Sequence, residues 1–217
     1  MDLSKELIIT TDCAGSIGIK ENDQVKVDYK TLSFYTLRNA VMENIAKGGD
    51  IFSIIYGNFC GDDAFLELNK GMIEVINQLG ENIFLLGSTE SNFVMKESAF
   101  SVTVIGNKNQ LPEKRFPNYA VIGLPLVGEE VLHNKDNVVS LEEVLVLSKS
   151  DNVSRIIPIG SKGINDRAEK VLGFTFESAM IDLYKSAGPS TCLLVEYESY
   201  KELEKESCVK ITKIERI

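Results

Sequence analysis

The chain has 217 residues, of which 44% are hydrophobic and 25% are charged, and its formal net charge is −9. This composition is typical of a globular protein with one large domain or two small ones. An acidic chain is poorly suited to general nucleic-acid binding, and no apolar run is long enough to predict a membrane span. We therefore expect neither nucleic acid nor a membrane among its partners.

Cysteine and histidine usage limits the chemistry. The four cysteines form no C-x-x-C pair and the sequence starts without a secretory-signal pattern, so we expect reduced thiols in the cytoplasm. His133 is the only histidine, which argues against a zinc site and against a Ser-His-Asp or Cys-His hydrolase. Any catalysis would therefore depend mainly on carboxylates, lysines, hydroxyls and the backbone.

The first half of the sequence alternates between predicted strands and helices. Hydrophobic patterning and turn residues predict strands at 6–11, 24–29, 50–57, 82–87 and 100–106, and helices at 31–47, with Thr31 as N-cap, and about 63–79. This β-α-β-α-β-β order predicts an α+β (α/β-like) fold, with a sheet that carries helices on one face.

A polar, proline-bearing stretch at 107–118 is the predicted linker between a first domain, 1–106, and a second domain, 119–217. In the second domain, the apolar stretch "YAVIGLPLVG" is followed by a predicted charged helical piece near 141–149, the strand "VSRIIPIG", a further helix and a last strand near 207–216.

The first stretch that points to a site is residues 8–20, "IITTDCAGSIGIK", in which a strand runs into Asp12 and a loop of small residues. A carboxylate here supplies a hard oxygen ligand for a divalent cation, while Gly15 and Gly18 let the backbone approach phosphate oxygens. Lys20 could balance phosphate charge. The spacing is not that of a Walker A loop, and a plain turn capped by Asp12 remains the alternative.

Two further motifs lie on or near helices. Thr36, Asn39 and Glu43 share the helix face opposite its apolar stripe, a pattern that by itself favours a solvated face. The sequence "GDD" at 61–63 precedes the next helix, where an aspartate N-cap is favoured over a metal ligand.

Each of two loops is interpreted equally well as a binding site or as a plain turn. In "LLGSTES" (85–91) a strand ends in glycine, hydroxyls and a carboxylate, at the kind of position where α/β proteins bind ligands. "GSKG" (160–163) reads either as an anion-binding turn or as a turn with Lys162 exposed.

The order of these motifs resembles the aminoimidazole ribonucleotide synthetase (PurM-like) superfamily, which includes thiamine-monophosphate kinase, selenophosphate synthetase and a hydrogenase maturation factor. That family reads D-G-V-G-T-K after a strand, then a helix with an acidic residue before GA-[ED]-P, then a strand that ends in G-G-[ED]-T. The match covers roughly residues 6–106, and its motifs fall on Asp12, Gly15, Lys20, Glu43, Gly48, Gly49, Gly87, Ser88 and Thr89.

Within the superfamily, "TTDCAGSIG", "GSTESNF" and "SAGPSTC" are most similar to the short α-ribazole kinases. The resemblance implies a PurM-like N-terminal domain that binds ATP and pairs into a homodimer, followed by an abbreviated C-terminal α+β domain. It also implies the use of ATP and Mg²⁺ to phosphorylate the 5′-hydroxyl of a riboside, α-ribazole above all.

The resemblance further implies roles for individual residues. Asp12 and Glu43 hold Mg²⁺, Lys20 and Lys162 offset phosphate charge, and Glu90 orients the attacking hydroxyl. The remaining residues expected around the nucleotide are Gly15, Gly18, Asn39, Gly87, Ser88 and Thr89.

The sequence departs from the family at two such positions, because Ser88 replaces a carboxylate and Glu43 stands where the family usually has aspartate. Two alternatives therefore stay open. The first is another ATP-dependent enzyme of the superfamily, such as a thiamine-monophosphate kinase or a cyclo-ligase. The second is a nucleotide-binding protein without catalysis.

Overall fold

A computed structural model describes residues 6–80, 82–111 and 113–217, and the chain divides into two compact units, one ending at Gln110 and the other beginning at Leu111. Both units combine a β-sheet with helices, so the predicted α+β class is confirmed. Among the described residues, no helix is both long enough and apolar enough to cross a membrane.

The first unit has a four-stranded mixed sheet in the order β1-β6-β4-β5. Its elements are β1 (Leu7–Gly15), the short pair β2 (Ile17–Gly18) and β3 (Val25–Lys26), α1 (Tyr29–Ala46), β4 (Gly49–Asn58), α2 (Phe65–Leu79), β5 (Phe84–Thr89) and β6 (Ala99–Lys108). Helix α1 packs on β1, β6 and β4, and α2 packs on α1. The helices thus lie on one face of the sheet, as predicted.

The start of α1 differs from the sequence prediction. Asp28 is the N-cap, and its carboxylate accepts a 2.6 Å hydrogen bond from the Thr31 N–H, so Thr31 already lies inside the helix. The strand predicted at 24–29 is correspondingly reduced to Val25–Lys26. Both predictions were wrong because the Asp28 carboxylate satisfies a backbone donor that the helix itself leaves unpaired.

Helix α1 is covered on more sides than an isolated amphipathic helix. Leu37, Val41 and Met42 are fully buried, and Thr36, on the supposedly solvated face, is only 3% exposed. The Thr36 hydroxyl is satisfied within the helix by donating to the Leu32 carbonyl at 2.8 Å. The solvated-face interpretation of this stripe is therefore wrong for Thr36.

The second unit has a five-stranded sheet in the order β8-β10-β7-β11-β9, with antiparallel neighbours throughout. Its elements are β7 (Asn118–Gly123), α3 (Glu129–His133), α4 (Leu141–Leu147), β8 (Val153–Pro158), α5 (Gly163–Leu172), β9 (Phe176–Glu177), β10 (Cys192–Tyr197), α6 (Tyr200–Glu206) and β11 (Ile211–Arg216). Buried side chains from the sheet and α5 form its core.

Candidate functional site

Asp12 lies near the end of β1, on the sheet face that α1 covers. Strand alternation places it on the same face as Ile8 and Thr10, which are buried, whereas Asp12 itself is half-buried. The Thr10 hydroxyl donates to the Ala40 carbonyl at 2.7 Å and ties this strand to the middle of α1. This contact explains why Asp12 comes opposite the helix residues next to Ala40.

The structure brings Asp12 together with Asn39 and Glu43. Burial raises the pKa of Asp12 above its ordinary value; hydrogen bonds from the Asn39 side chain and the Cys13 N–H oppose that rise, and the nearby negative charge of Glu43 adds to it. The charged form of Asp12 is thus disfavoured in the protein alone. A bound cation would reverse this balance.

The donor chemistry of this cluster fits Mg²⁺. Magnesium ions are commonly bound through one or two carboxylates together with substrate phosphates. Asp12 and Glu43 supply two carboxylates, although Glu43 also pairs with Lys47 at 3.7 Å. Among the described residues, no group of three or more His, Cys, Asp or Glu side chains is placed to hold a metal. The cluster therefore suits a cation shared with a phosphate ligand rather than a closed protein site.

Residues 15–23, here called the glycine loop, begin with the last residue of β1 and include the short strand β2. Gly15 is exposed, and a Cβ at this position would meet nothing within 4 Å, which leaves its backbone open to a ligand. Gly18 is different, because a Cβ there would lie 2.4 Å from Ser98 Oγ. Packing against Ser98 already requires glycine at position 18, and its role toward a nucleotide stays a prediction.

Lys20 lies where three chain segments meet. Its ammonium donates to the carbonyl of Phe59, after β4, at 3.2 Å and to the carbonyl of Glu97, before β6, at 3.3 Å. These neutral acceptors use two of the three ammonium donors. Within the described part of the chain Lys20 forms no ion pair, so its charge and one donor are left for an anion.

Gly87 and Thr89, at the end of β5, make contacts that define the strand end. A Cβ on Gly87 would lie 2.0 Å from the Tyr56 ring, so this glycine is required by packing. The Thr89 hydroxyl accepts a 3.2 Å hydrogen bond from the Asn58 side chain.

Glu90 holds the turn that follows β5. One of its carboxylate oxygens accepts hydrogen bonds from the N–H groups of Asn92 at 2.7 Å and Phe93 at 3.2 Å. For the other oxygen, no hydrogen bond is found among the described residues. The predicted catalytic role of Glu90 would therefore depend on that second oxygen.

The sheet register keeps the β5 residues away from Asp12. Asp12 pairs with Val102, Val102 with Tyr56, and Tyr56 with Gly87, so three strand spacings of about 4.8 Å separate Asp12 from Gly87. Ser88 belongs to the next row, with Cys13, Ser101 and Gly57, and its side chain points to the opposite face of the sheet. The first unit thus joins Asp12, Asn39 and Glu43 in one cluster and leaves Gly87, Ser88 and Thr89 at the other edge.

The structure also shows where Lys162 and the G-D-D sequence at 61–63 lie. Lys162 is an exposed residue of the second unit, directly before α5. Asp62 and Asp63 lie inside a short 3-10 turn whose N-cap is Gly61, and no side chain caps that turn. The prediction of an aspartate N-cap was wrong, since the glycine backbone occupies the capping position.

Asn58 is an organising residue that the sequence analysis missed. It is fully buried, and its amide nitrogen donates to the Gly61 carbonyl at 3.0 Å and to Thr89, while its oxygen accepts from the Cys60 N–H at 2.8 Å. An asparagine that ends a buried strand before a G-D-D turn was the available signal. Its partners, however, come from the turn after β4 and from the end of β5.

We predict that Asn58→Ala lowers the free energy of unfolding by about 2–3 kcal/mol, because buried backbone groups lose their partners. Urea denaturation followed by circular dichroism measures this change. Asn92→Ala, at an exposed position of a neighbouring loop, is the matched control and should stay within about 0.5 kcal/mol of the parent protein. Equal stability of both variants would contradict the assigned role.

Comparisons with known proteins identify the fold. No protein-family model and no curated protein sequence matches this chain. Solved structures do match. E. coli HypE, a hydrogenase maturation protein, superposes with a TM-score of 0.68 at 10% identity, over 100% of this chain and 83% of that one. The chain has the PurM-like fold.

Two more PurM-like structures agree with this result. Thiamine-monophosphate kinase from Stenotrophomonas maltophilia has a TM-score of 0.64 at 12% identity, over 100% of this chain and 84% of that one. HypE in complex with ATP has a TM-score of 0.63 at 12% identity, over 100% of this chain and 78% of that one. At these identities the similarity concerns the fold, so the chemistry must be argued from the site.

Proposed function

We propose that the protein is an ATP- and Mg²⁺-dependent kinase that phosphorylates the 5′-hydroxyl of α-ribazole. The observation that carries the proposal is the cluster of Asp12, Asn39 and Glu43, which lies near the end of the strand that leads to the glycine loop and Lys20. Two neighbours in fold are a kinase and a protein crystallised with ATP, which supports a nucleotide as the ligand. The acceptor rests on the sequence resemblance.

Phosphoryl transfer requires positioning and charge neutralisation more than covalent work by the protein. Asp12 and Glu43 would hold Mg²⁺, which when bound neutralises phosphate oxygens. Lys20 supplies a fixed positive charge, and the open backbone at Gly15 lets phosphate approach. Each of these groups acts by holding the phosphates in place.

Lys162 and Glu90 complete the proposal. We propose Lys162 as a second cation for the phosphates, as the sequence resemblance implies. Glu90 would orient the attacking hydroxyl through the carboxylate oxygen that does not hold the turn. Gly18 and Asn39 are assigned to the surroundings of the nucleotide, whereas Gly87, Ser88 and Thr89, at the other edge of the sheet, stay predictions from the sequence resemblance.

A homodimer through the first unit is part of the same proposal. The sheet face away from the helices, here called the open face, carries exposed apolar side chains: Ile55 (40% exposed) pairs with Leu86 (52%), Phe84 (62%) lies two positions before Leu86 on β5, and Ile9 (61%) lies on β1. Contiguous apolar surface of this kind marks association sites. The self-complementary contact of a two-fold dimer would cover it in both copies.

One observation favours the non-catalytic alternative. Ser88 stands where the superfamily has a carboxylate, and the cluster at Asp12 offers only two carboxylates. A protein that binds ATP–Mg²⁺ without transferring phosphate would be consistent with such a reduced ligand set.

The test is a mass-spectrometric assay of the purified protein with ATP, Mg²⁺ and α-ribazole. We expect a product heavier by one phosphoryl group, which disappears with Asp12→Asn. Absence of product with intact ATP binding would reject α-ribazole, and a panel of other phosphate acceptors would then separate another kinase from the non-catalytic alternative.

A further inference from the structure

Asp23 is a buried carboxylate in the glycine loop, with only 5% of its surface exposed. One carboxylate oxygen accepts from the Ser98 N–H at 2.7 Å; the other accepts from the Ser98 hydroxyl at 2.7 Å and from the Lys20 N–H at 2.8 Å. Burial acts to raise the pKa of Asp23, but these hydrogen bonds outweigh it and hold the pKa below its ordinary value. Asp23 is therefore charged at neutral pH.

Asp23 holds Lys20 at its backbone N–H, and the carbonyl of Glu97, the residue before Ser98, holds it at its ammonium. Asp23 also holds Ser98 through two hydrogen bonds. The start and the end of the lysine side chain are thus fixed relative to the same segment.

The glycine loop is built tightly around Ser98. The Ser16 N–H donates to the Ser98 carbonyl at 2.9 Å, and Gly18 approaches the Ser98 hydroxyl too closely to admit a Cβ. The loop therefore has little freedom to compensate for a change at Asp23 by shifting against Ser98.

We propose that Asp23 is a positioning residue for the phosphate site, because it fixes the Lys20 ammonium between the carbonyls of Phe59 and Glu97. This inference rests on the proposed function in one respect, namely that the anion bound by Lys20 is the polyphosphate of ATP. Asp23 itself does not touch the ligand. It acts through the backbone and direction of Lys20.

A double-mutant cycle separates positioning from general stabilisation. The dissociation constant for ATP–Mg²⁺ is measured by calorimetry for the parent protein, Asp23→Asn, Lys20→Met and the double variant. We expect Asp23→Asn to weaken binding about tenfold, since small misplacements of a positioning group carry losses up to about a hundredfold. In the Lys20→Met background the same change should have no further effect.

Two more variants serve as comparisons in this binding experiment. Glu21→Gln removes an exposed carboxylate of the same loop and should leave binding unchanged. Ser98→Ala removes one hydrogen bond to Asp23 and keeps the backbone contact, so it should weaken binding less than Asp23→Asn does. Ser98→Ala also serves if Asp23→Asn fails to fold.

Equal losses in both backgrounds, or no loss in either, would overturn the inference. If the parent protein does not bind ATP–Mg²⁺, the proposed function fails, and the positioning claim is then judged by amide hydrogen exchange. Asp23→Asn should speed exchange at the Lys20 and Ser98 amides, and Glu21→Gln should not. Unchanged exchange at both amides would overturn the positioning claim independently of any ligand.

Discussion

Asp12→Asn is expected to make the protein more stable and, at the same time, to abolish its kinase activity. The raised pKa of Asp12 means that its negative charge destabilises the folded state, first because the carboxylate is buried and also because Glu43 lies nearby. Asparagine keeps the shape and removes the charge. Functional sites often carry such unfavourable groups, and their replacement commonly stabilises a protein by about 0.5–2 kcal/mol.

The pH dependence follows from the direction of this shift. Between the ordinary pKa of Asp12 and its raised pKa, the folded state binds more protons than the unfolded state, so stability falls as the pH rises through that window. At pH values above this window, the charge on Asp12 destabilises the folded state fully. At pH values below it, Asp12 is protonated in both states and this destabilisation is absent. The increase in the free energy of unfolding caused by Asp12→Asn should therefore be largest at neutral pH and disappear in acid.

Urea denaturation at several pH values measures this advantage, with Asp50→Asn as the matched control, because Asp50 is an exposed aspartate of the same unit. For activity, we expect Asp12→Asn to lose at least about a hundredfold in turnover, as is common when a group that stabilises transition-state charge is removed. Asp50→Asn should retain turnover. Full activity of Asp12→Asn would show that Asp12 does not hold the metal.

Leu86→Lys is expected to convert the proposed dimer into a monomer. Leu86 is 52% exposed on the open face, in the same row as Ile55, so a lysine there would place a charge in the apolar contact. In a two-fold interface each substitution occurs twice, and the two charges also repel each other. We expect the dimer dissociation constant to rise at least about a hundredfold, which corresponds to about 2.8 kcal/mol.

Light scattering coupled to size-exclusion chromatography measures this change over a range of protein concentrations. Leu66→Lys is the matched control, because Leu66 is 71% exposed but lies on α2, away from the open face. A parent protein that is monomeric at all concentrations would contradict the proposed dimer. A Leu86→Lys dimer as tight as the parent would place the interface elsewhere.

Much of the fold could be predicted from the sequence, because it depends on local periodicity. The alternation of strands and helices predicted the α+β class and a sheet with helices on one face, both of which the structure confirms. Asp12 stood out as a carboxylate before a loop of small residues, and helical spacing placed Asn39 and Glu43 on one face of a helix, but only the family resemblance assigned that face to a site. Their meeting then needed only the packing of α1 on β1.

The rest of the site depended on contacts between distant parts of the chain. Asp23 and Ser98 are 75 positions apart, and no local pattern marks them as partners. The register of the four-stranded sheet separates Ser88 from Asp12, although the sequence predicted both motifs at strand ends. By itself the sequence determined which side chains share a face of an element. Only the tertiary structure decided which faces and loops meet, because strand register and loop closure are set by non-local hydrogen bonds and packing.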